Sequence, residues 1–143
     1  MKPQDIEKRS FEIITAELGE RTFPAGIAEV VKRVIHTTAD FDYADSLAFS
    51  PDLIEKAKAA LAAGATVVTD TNMALSGVSK ATLAKLGGKA VCLMADEQVA
   101  REAKARGVTR AVVSMEHAAK FEGPLIFAIG NAPTALIRLH ELI

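Results

Sequence analysis

Gly64-Ala65-Thr66-Val67-Val68-Thr69-Asp70-Thr71-Asn72-Met73 decides the fold. Thr66–Thr69 is an unbroken β-branched run, which suits a short strand on a pleated surface, and Asp70 ends it. Downstream, strand and helix signals alternate. Residues 79–88 read as a short helix capped by Ser79 and closed by Gly87-Gly88, and 90–94 as a second strand. Asp96 is placed to cap a helix Glu97–Arg106, which Gly107 stops. Residues 108–113 are ambiguous and could form a short fourth strand, whereas 115–121 reads as helix. Gly123-Pro124 breaks the chain before a buried strand at 125–129, and a last helix opens at Pro133 after Gly130-Asn131-Ala132. Strands alternating with helices imply a parallel sheet with right-handed crossovers. The expected class is α/β, a three-layer α/β/α arrangement with a mainly parallel sheet.

Helices precede that sheet. Phe11, Ile14 and Leu18 share one face of a helix over 4–18, ended by Gly19. Ile27, Val30, Val31, Val34 and Ile35 follow the i, i+3, i+4, i+7, i+8 spacing of a second amphipathic helix. Residues 41–49 have no clean period and read as loop. Ser50-Pro51-Asp52 reads as a helix start, with an alanine-rich helix running to Ala63. Leu136, Leu139 and Ile143 share a face of the last helix, so that face is expected to be buried. No repeat or linker interrupts the 143 residues, which are expected to form one domain, 1–143.

Composition narrows the function. Half the residues are hydrophobic against 24% charged, an ordinary balance for a chain with a real core. A net charge of −1 offers no field for nucleic acid, and without Trp there is little for bases to stack on. No apolar run approaches the ~20 residues of a membrane span, and the mixed charges of residues 2–9 do not resemble a signal peptide, so a cytoplasmic location is expected. Cys92 sits in the apolar run Val91-Cys92-Leu93-Met94 and reads as a buried, inert thiol. His117 and His140 read as surface residues. The histidines and Cys92 lack the spacing of a zinc site, so no protein-bound metal is expected.

His36 is the histidine with functional flanks: Thr37, Thr38 and Asp40 are short polar groups able to orient an imidazole. At ~100° per residue it falls on the polar face of its helix, with Glu29, Lys32 and Arg33. Periodicity alone fits a solvated histidine at a helix C-terminus as well as a general acid. Thr69-Asp70-Thr71-Asn72-Met73 and Gly130-Asn131-Ala132-Pro133-Thr134 both follow strands, where open α/β sheets bind ligands. The first also suits simple turn chemistry, and the second opens a helix whose free N–H groups attract anions.

Together, the segments at 34–40, 69–77 and 128–136 resemble the precorrin-8X methylmutase family of corrin biosynthesis, with likeness from Arg9-Ser10-Phe11 to Ile143. The resemblance implies an isomerase that moves a methyl group from C-11 to C-12 of precorrin-8x, giving hydrogenobyrinate, or of cobalt-precorrin-8, giving cobyrinate. The wording of 35–41 and 69–73 looks closer to the cobalt-handling branch. No cofactor is implied, because cobalt, where present, belongs to the substrate. The resemblance makes His36 catalytic and assigns substrate contacts to Arg9, Ser10, Thr37, Asp70, Thr71, Met73, Arg110, Asn131 and Thr134. Read bottom-up, Arg9 and Ser10 also suit a structural role, and Arg110 a solvated helix end. The resemblance also implies a homodimer. Family members continue past the point matching Ile143, so an incomplete sheet and pocket are expected, and the alternative is a non-catalytic tetrapyrrole-binding or structural fragment of that family.

Overall fold

A computed structural model describes residues 2–143. Its contacts divide the chain into two compact units, one ending at Ile54 and the other spanning Glu55–Ile143.

The first unit is helical. Helix α1, Pro3–Leu18, ends at Gly19, and α2, Ile27–Thr38, follows after a turn. Gly26 is required at that turn: its φ is 79°, and a Cβ there would lie 2.7 Å from Ile54 Cγ2. Ile14 and Leu18 of α1 pack with Ile27, Val31 and Ile35 of α2, and Phe23, Phe41, Tyr43 and Phe49 close around them. The aromatic side chains at 41–49 thus belong to the core, and they draw part of the expected loop into a short helix α3, Tyr43–Ser46. Helix α4, Leu53–Ala62, starts later than Ser50-Pro51-Asp52 implied. Asp52 has φ 58°, a left-handed conformation that makes Pro51-Asp52 a turn before the helix instead of its first turn.

The second unit holds the sheet. Strands β1 (Thr66–Thr69), β2 (Lys89–Cys92) and β3 (Leu125–Ala128) are all parallel in the order β2-β1-β3, with Val67 opposite Ala90 on one side and Ile126 on the other. As the middle strand β1 is buried throughout, which is why it reads as continuous β-branched residues without alternation. Helices α5 (Asn72–Gly77) and α6 (Lys80–Lys85) link β1 to β2. Gly88 lets the chain enter β2, since a Cβ there would sit 2.5 Å from the Ala65 carbonyl oxygen. Helices α7 (Glu97–Arg106) and α8 (Arg110–Ala118) link β2 to β3, and α9 is Pro133–Leu142.

Val68 packs with Ala111, Met115 and Ala118 of α8 and Ala135 and Leu139 of α9, with Val91 and Phe127 beside them. Burial of Ala111, Val113 and Met115 explains why 110–113 is helix and not a fourth strand: tertiary packing overrides the β-branched preference of Val112-Val113. Leu139 is buried as expected, but its partner on the inner face is Ala135; Leu136 is 60% and Ile143 102% exposed. The parallel α/β arrangement preceded by helices is the one the sequence implies.

Candidate functional site

His36 lies in the last turn of α2, on the side away from buried Val31 and Ile35, and its side chain is exposed. Thr37 and Thr38 do not orient it. Their hydroxyls donate to the carbonyls of Arg33 (3.0 Å) and Val34 (2.8 Å), as β-hydroxyls on helices commonly do. Asp40 accepts from the backbone N–H of Asp42 at 2.9 Å. The group that holds the imidazole is Ser10 of α1, whose Oγ is 2.7 Å from Nδ1. The Phe11 ring stacks on the imidazole with centroids 5.4 Å apart and planes 21° apart. A groove of ≈ 380 Å³ opens beside this pair, lined by Ile6, Arg9, Ser10, Ile13, His36 and Phe41. Arg9 at its rim meets Glu12 at 3.2 Å, an exposed pair of little energetic weight, so the guanidinium is easily redirected to a ligand. The first unit therefore brings His36, Ser10 and Arg9 to one groove, while Thr37 is tied to its own helix.

The second unit gathers its polar residues at the carboxyl ends of its strands. Asp70 directly follows β1 and is fully buried. Its Oδ1 accepts from Gly130 N–H (3.1 Å), and its Oδ2 accepts from Asn131 and Ala132 N–H (2.7 Å each). Burial would raise the pKa of this carboxyl, but the hydrogen bonds from Ala132, Gly130 and Asn131 outweigh it and hold the group below its ordinary value. This reassigns the segment 130–134. The donors expected to receive a substrate anion are taken by the protein's own carboxylate, so Asp70 joins β1 to the start of α9. Thr71 is also structural: its Oγ1 caps α5 by accepting from Ala74 N–H at 3.1 Å. Side chains left at the surface on this end are Met73 (86% exposed), Arg110, Asn131 and Thr134. Arg110 reaches the Met94 carbonyl just past β2 at 3.4 Å, and Thr134 Oγ1 lies 3.2 Å from Thr109 Oγ1.

A cluster of ionic groups, unseen in the sequence, joins α7, α8 and α9. Arg106 donates to both carboxylate oxygens of Glu116 (2.5 and 3.0 Å) and to Glu102 (2.7 Å), and Arg138 donates to Glu116 (2.9 Å) and Glu141 (2.6 Å). Arg106 and then Arg138 push the Glu116 carboxyl down to about 2. His117 is not a surface residue: it is partly buried and pairs with Glu102 at 2.8 Å. The residues involved are up to 39 positions apart, so only i, i+3 and i, i+4 pairs such as Glu102–Arg106 (2.7 Å) could have signalled them. Cys92 is half-buried in β2. Among the described residues no group of three or more His, Cys, Asp or Glu side chains is arranged to hold a metal ion, and no helix is long and apolar enough to cross a membrane.

Residues 5–143 match the family model described as precorrin-8X methylmutase. The chain is 44% identical to the cobalt-precorrin-8 methylmutase of Priestia megaterium over 143 residues, covering 100% of this chain and 64% of that protein. It is also 44% identical to the cobalt-precorrin-8 methylmutase of Salmonella typhimurium, covering 98% of this chain and 70% of the relative. The structure superposes on that of precorrin-8x methyl mutase from Thermus thermophilus with a TM-score of 0.86 at 35% identity, covering 97% of this chain and 68% of the other. The chain thus spans about two thirds of the length of these relatives, 64% to 70%.

Proposed function

Because the chain belongs to the precorrin-8X methylmutase family, we propose that it takes part in moving the C-11 methyl group of cobalt-precorrin-8 to C-12, giving cobyrinate. The names of its two 44%-identical relatives favour the cobalt substrate over metal-free precorrin-8x. The C-11–methyl bond breaks and the C-12–methyl bond forms within one macrocycle, so the step needs no methyl donor and no net electron transfer. The protein's task is to bind the reactive tautomer, hold its shape and polarise ring C.

The observation that carries this reading is the Ser10–His36 contact of 2.7 Å beside a groove with apolar walls and an arginine at its rim. With the Ser10 hydroxyl donating to Nδ1, the imidazole proton sits on Nε2, which then donates a hydrogen bond to ring C. Ile6 and Ile13 suit the flat apolar edge of a tetrapyrrole, and Arg9 suits one of its acetate or propionate side chains. In the second unit we assign carboxylate contacts to exposed Arg110, Asn131 and Thr134, and an apolar contact to Met73. Asp70 and Thr71 support these residues and do not touch substrate themselves. The working form is proposed to be a homodimer; exposed Leu136, Ile137 and Ile143 give the second unit apolar surface that an assembly would cover.

Single-turnover absorbance with cobalt-precorrin-8 and, separately, with precorrin-8x tests the proposal. Conversion of the cobalt form is expected to be the faster. Binding of the coloured macrocycle without conversion would replace the enzyme reading with that of a tetrapyrrole-binding protein. Failure to bind either substrate would remove both.

A further inference from the structure

Phe11 is the one aromatic side chain of α1, and its surroundings are unusual for a phenylalanine. The other aromatics of the first unit, Phe23, Phe41, Tyr43 and Phe49, pack against the core of Ile14, Leu18, Ile27, Val31 and Ile35. Phe11 is half-buried outside that cluster, on polar neighbours of α2. Its centroid is 5.4 Å from that of His36, and the Arg33 guanidinium carbon lies 4.8 Å from it. Arg33 is held in turn by Glu7 of α1 at 2.6 Å. Arg33 and His36 are three apart on α2, and Glu7 and Phe11 four apart on α1, so each pair lies along one helix face. The ring also lines a groove of ≈ 870 Å³ with Glu7 and Arg33, separate from the one that His36 lines.

Such a ring contributes little as core but much as a constraint. A single hydrogen bond from Ser10 fixes one imidazole nitrogen yet leaves the ring plane able to swing about the Nδ1–Oγ axis. A flat partner against one face removes that motion. The cation over Phe11, itself tethered by Glu7, keeps the flat partner from turning. We propose that Phe11 is a positioning residue for His36: it closes one face of the imidazole and, with Ser10, fixes the direction in which Nε2 points. The inference rests on His36 being the group that meets the macrocycle, but its test does not depend on that alone.

The test uses the full chain with isotope-labelled histidine, reading the order of the His36 ring from ¹³C relaxation at Cε1 and Cδ2, beside kcat and KM for cobalt-precorrin-8. Phe11→Leu should leave Tm near wild type, lower the ring order, and reduce kcat about tenfold with KM little changed, the scale of a misdirected reacting group. Phe11→Tyr, which restores a flat face, should recover both ring order and kcat. Phe11→Met keeps the apolar volume without a flat face and repeats the measurement if leucine disturbs folding. Unchanged ring order in the folded Leu or Met variant would overturn the proposal. So would lost ring order with wild-type kcat, or a change confined to KM. If His36→Ala turns over like wild type, the reading of His36 falls, and the ring order still decides whether Phe11 positions it.

Discussion

His36 and Asp70 are both polar side chains fixed by segments distant in sequence, yet they are fixed to opposite ends. His36 is exposed, held through one nitrogen by Ser10 from 26 residues away, and it lines a groove. Asp70 is fully buried and meets three backbone N–H groups 60 to 62 residues away. The first arrangement leaves the second ring nitrogen without a partner inside the protein; the second occupies both carboxylate oxygens with the protein's own backbone. The partners a polar residue already has therefore decide whether it can serve a ligand, and residue type and location at a strand end do not.

The contrast is sharpest in the Asp70→Ala variant. It leaves the N–H groups of Gly130, Asn131 and Ala132 without the buried carboxylate that accepts from them, and about 3–5 kcal/mol of stability should be lost. Denaturant unfolding measures it, and a loss below about 1 kcal/mol would return Asp70 to the surface chemistry we deny it. His36→Ala should do the reverse. Turnover should fall by about two orders of magnitude, the scale of a lost general acid, while Tm stays near wild type because the side chain is outside the core. Wild-type single-turnover rates in this variant would end its assignment as the catalytic group.

Glu116 extends the comparison to a partly buried charge. Glu116→Gln should cost about 1–3 kcal/mol, since Arg106 and Arg138 lose a shared charged acceptor. Its carboxyl is held at about 2 against an ordinary 4.5, so its stabilisation is fully present above pH 4.5 and disappears as pH falls towards about 2. Asp70, depressed in the same direction, loses its contribution as pH falls through its lowered value. An acid titration of Tm should show wild type falling through this window and Glu116→Gln falling less steeply. Parallel curves would mean that the pair contributes nothing measurable.

Much of this architecture is legible in the chain. Thr66–Thr69 forms as read, and Asp96 and Gly107 bound α7 at the residues their chemistry suggests, with Asp96 Oδ1 accepting from Gln98 and Val99 N–H at 2.8 and 3.1 Å. Helix α5 is missed because Thr71 and Asn72 serve turns and helix starts equally well, and only the surrounding chain distinguishes them. The 108–113 segment stays ambiguous in the sequence because local preference allows a strand where burial makes 110–113 helix. Of the site, the polar exposure of His36 follows from the helical period. Its link to Ser10 and the sequestering of Asp70 do not, because each joins residues that no local spacing relates.

The same Asp70 bridge has a consequence for the order in which the second unit assembles. Bonds between residues 60 to 62 positions apart close a long loop, and the entropy of closing it is lost before the bonds are gained. The bridge cannot form until β3 lies against β1 and delivers Gly130 to the strand end. We expect it to act as a latch set after the rate-limiting step, absent from the transition state. Asp70 should then govern how long the native state lasts more than how quickly it is reached, so that weakening the latch speeds unfolding and leaves the folding arm of the chevron almost unmoved.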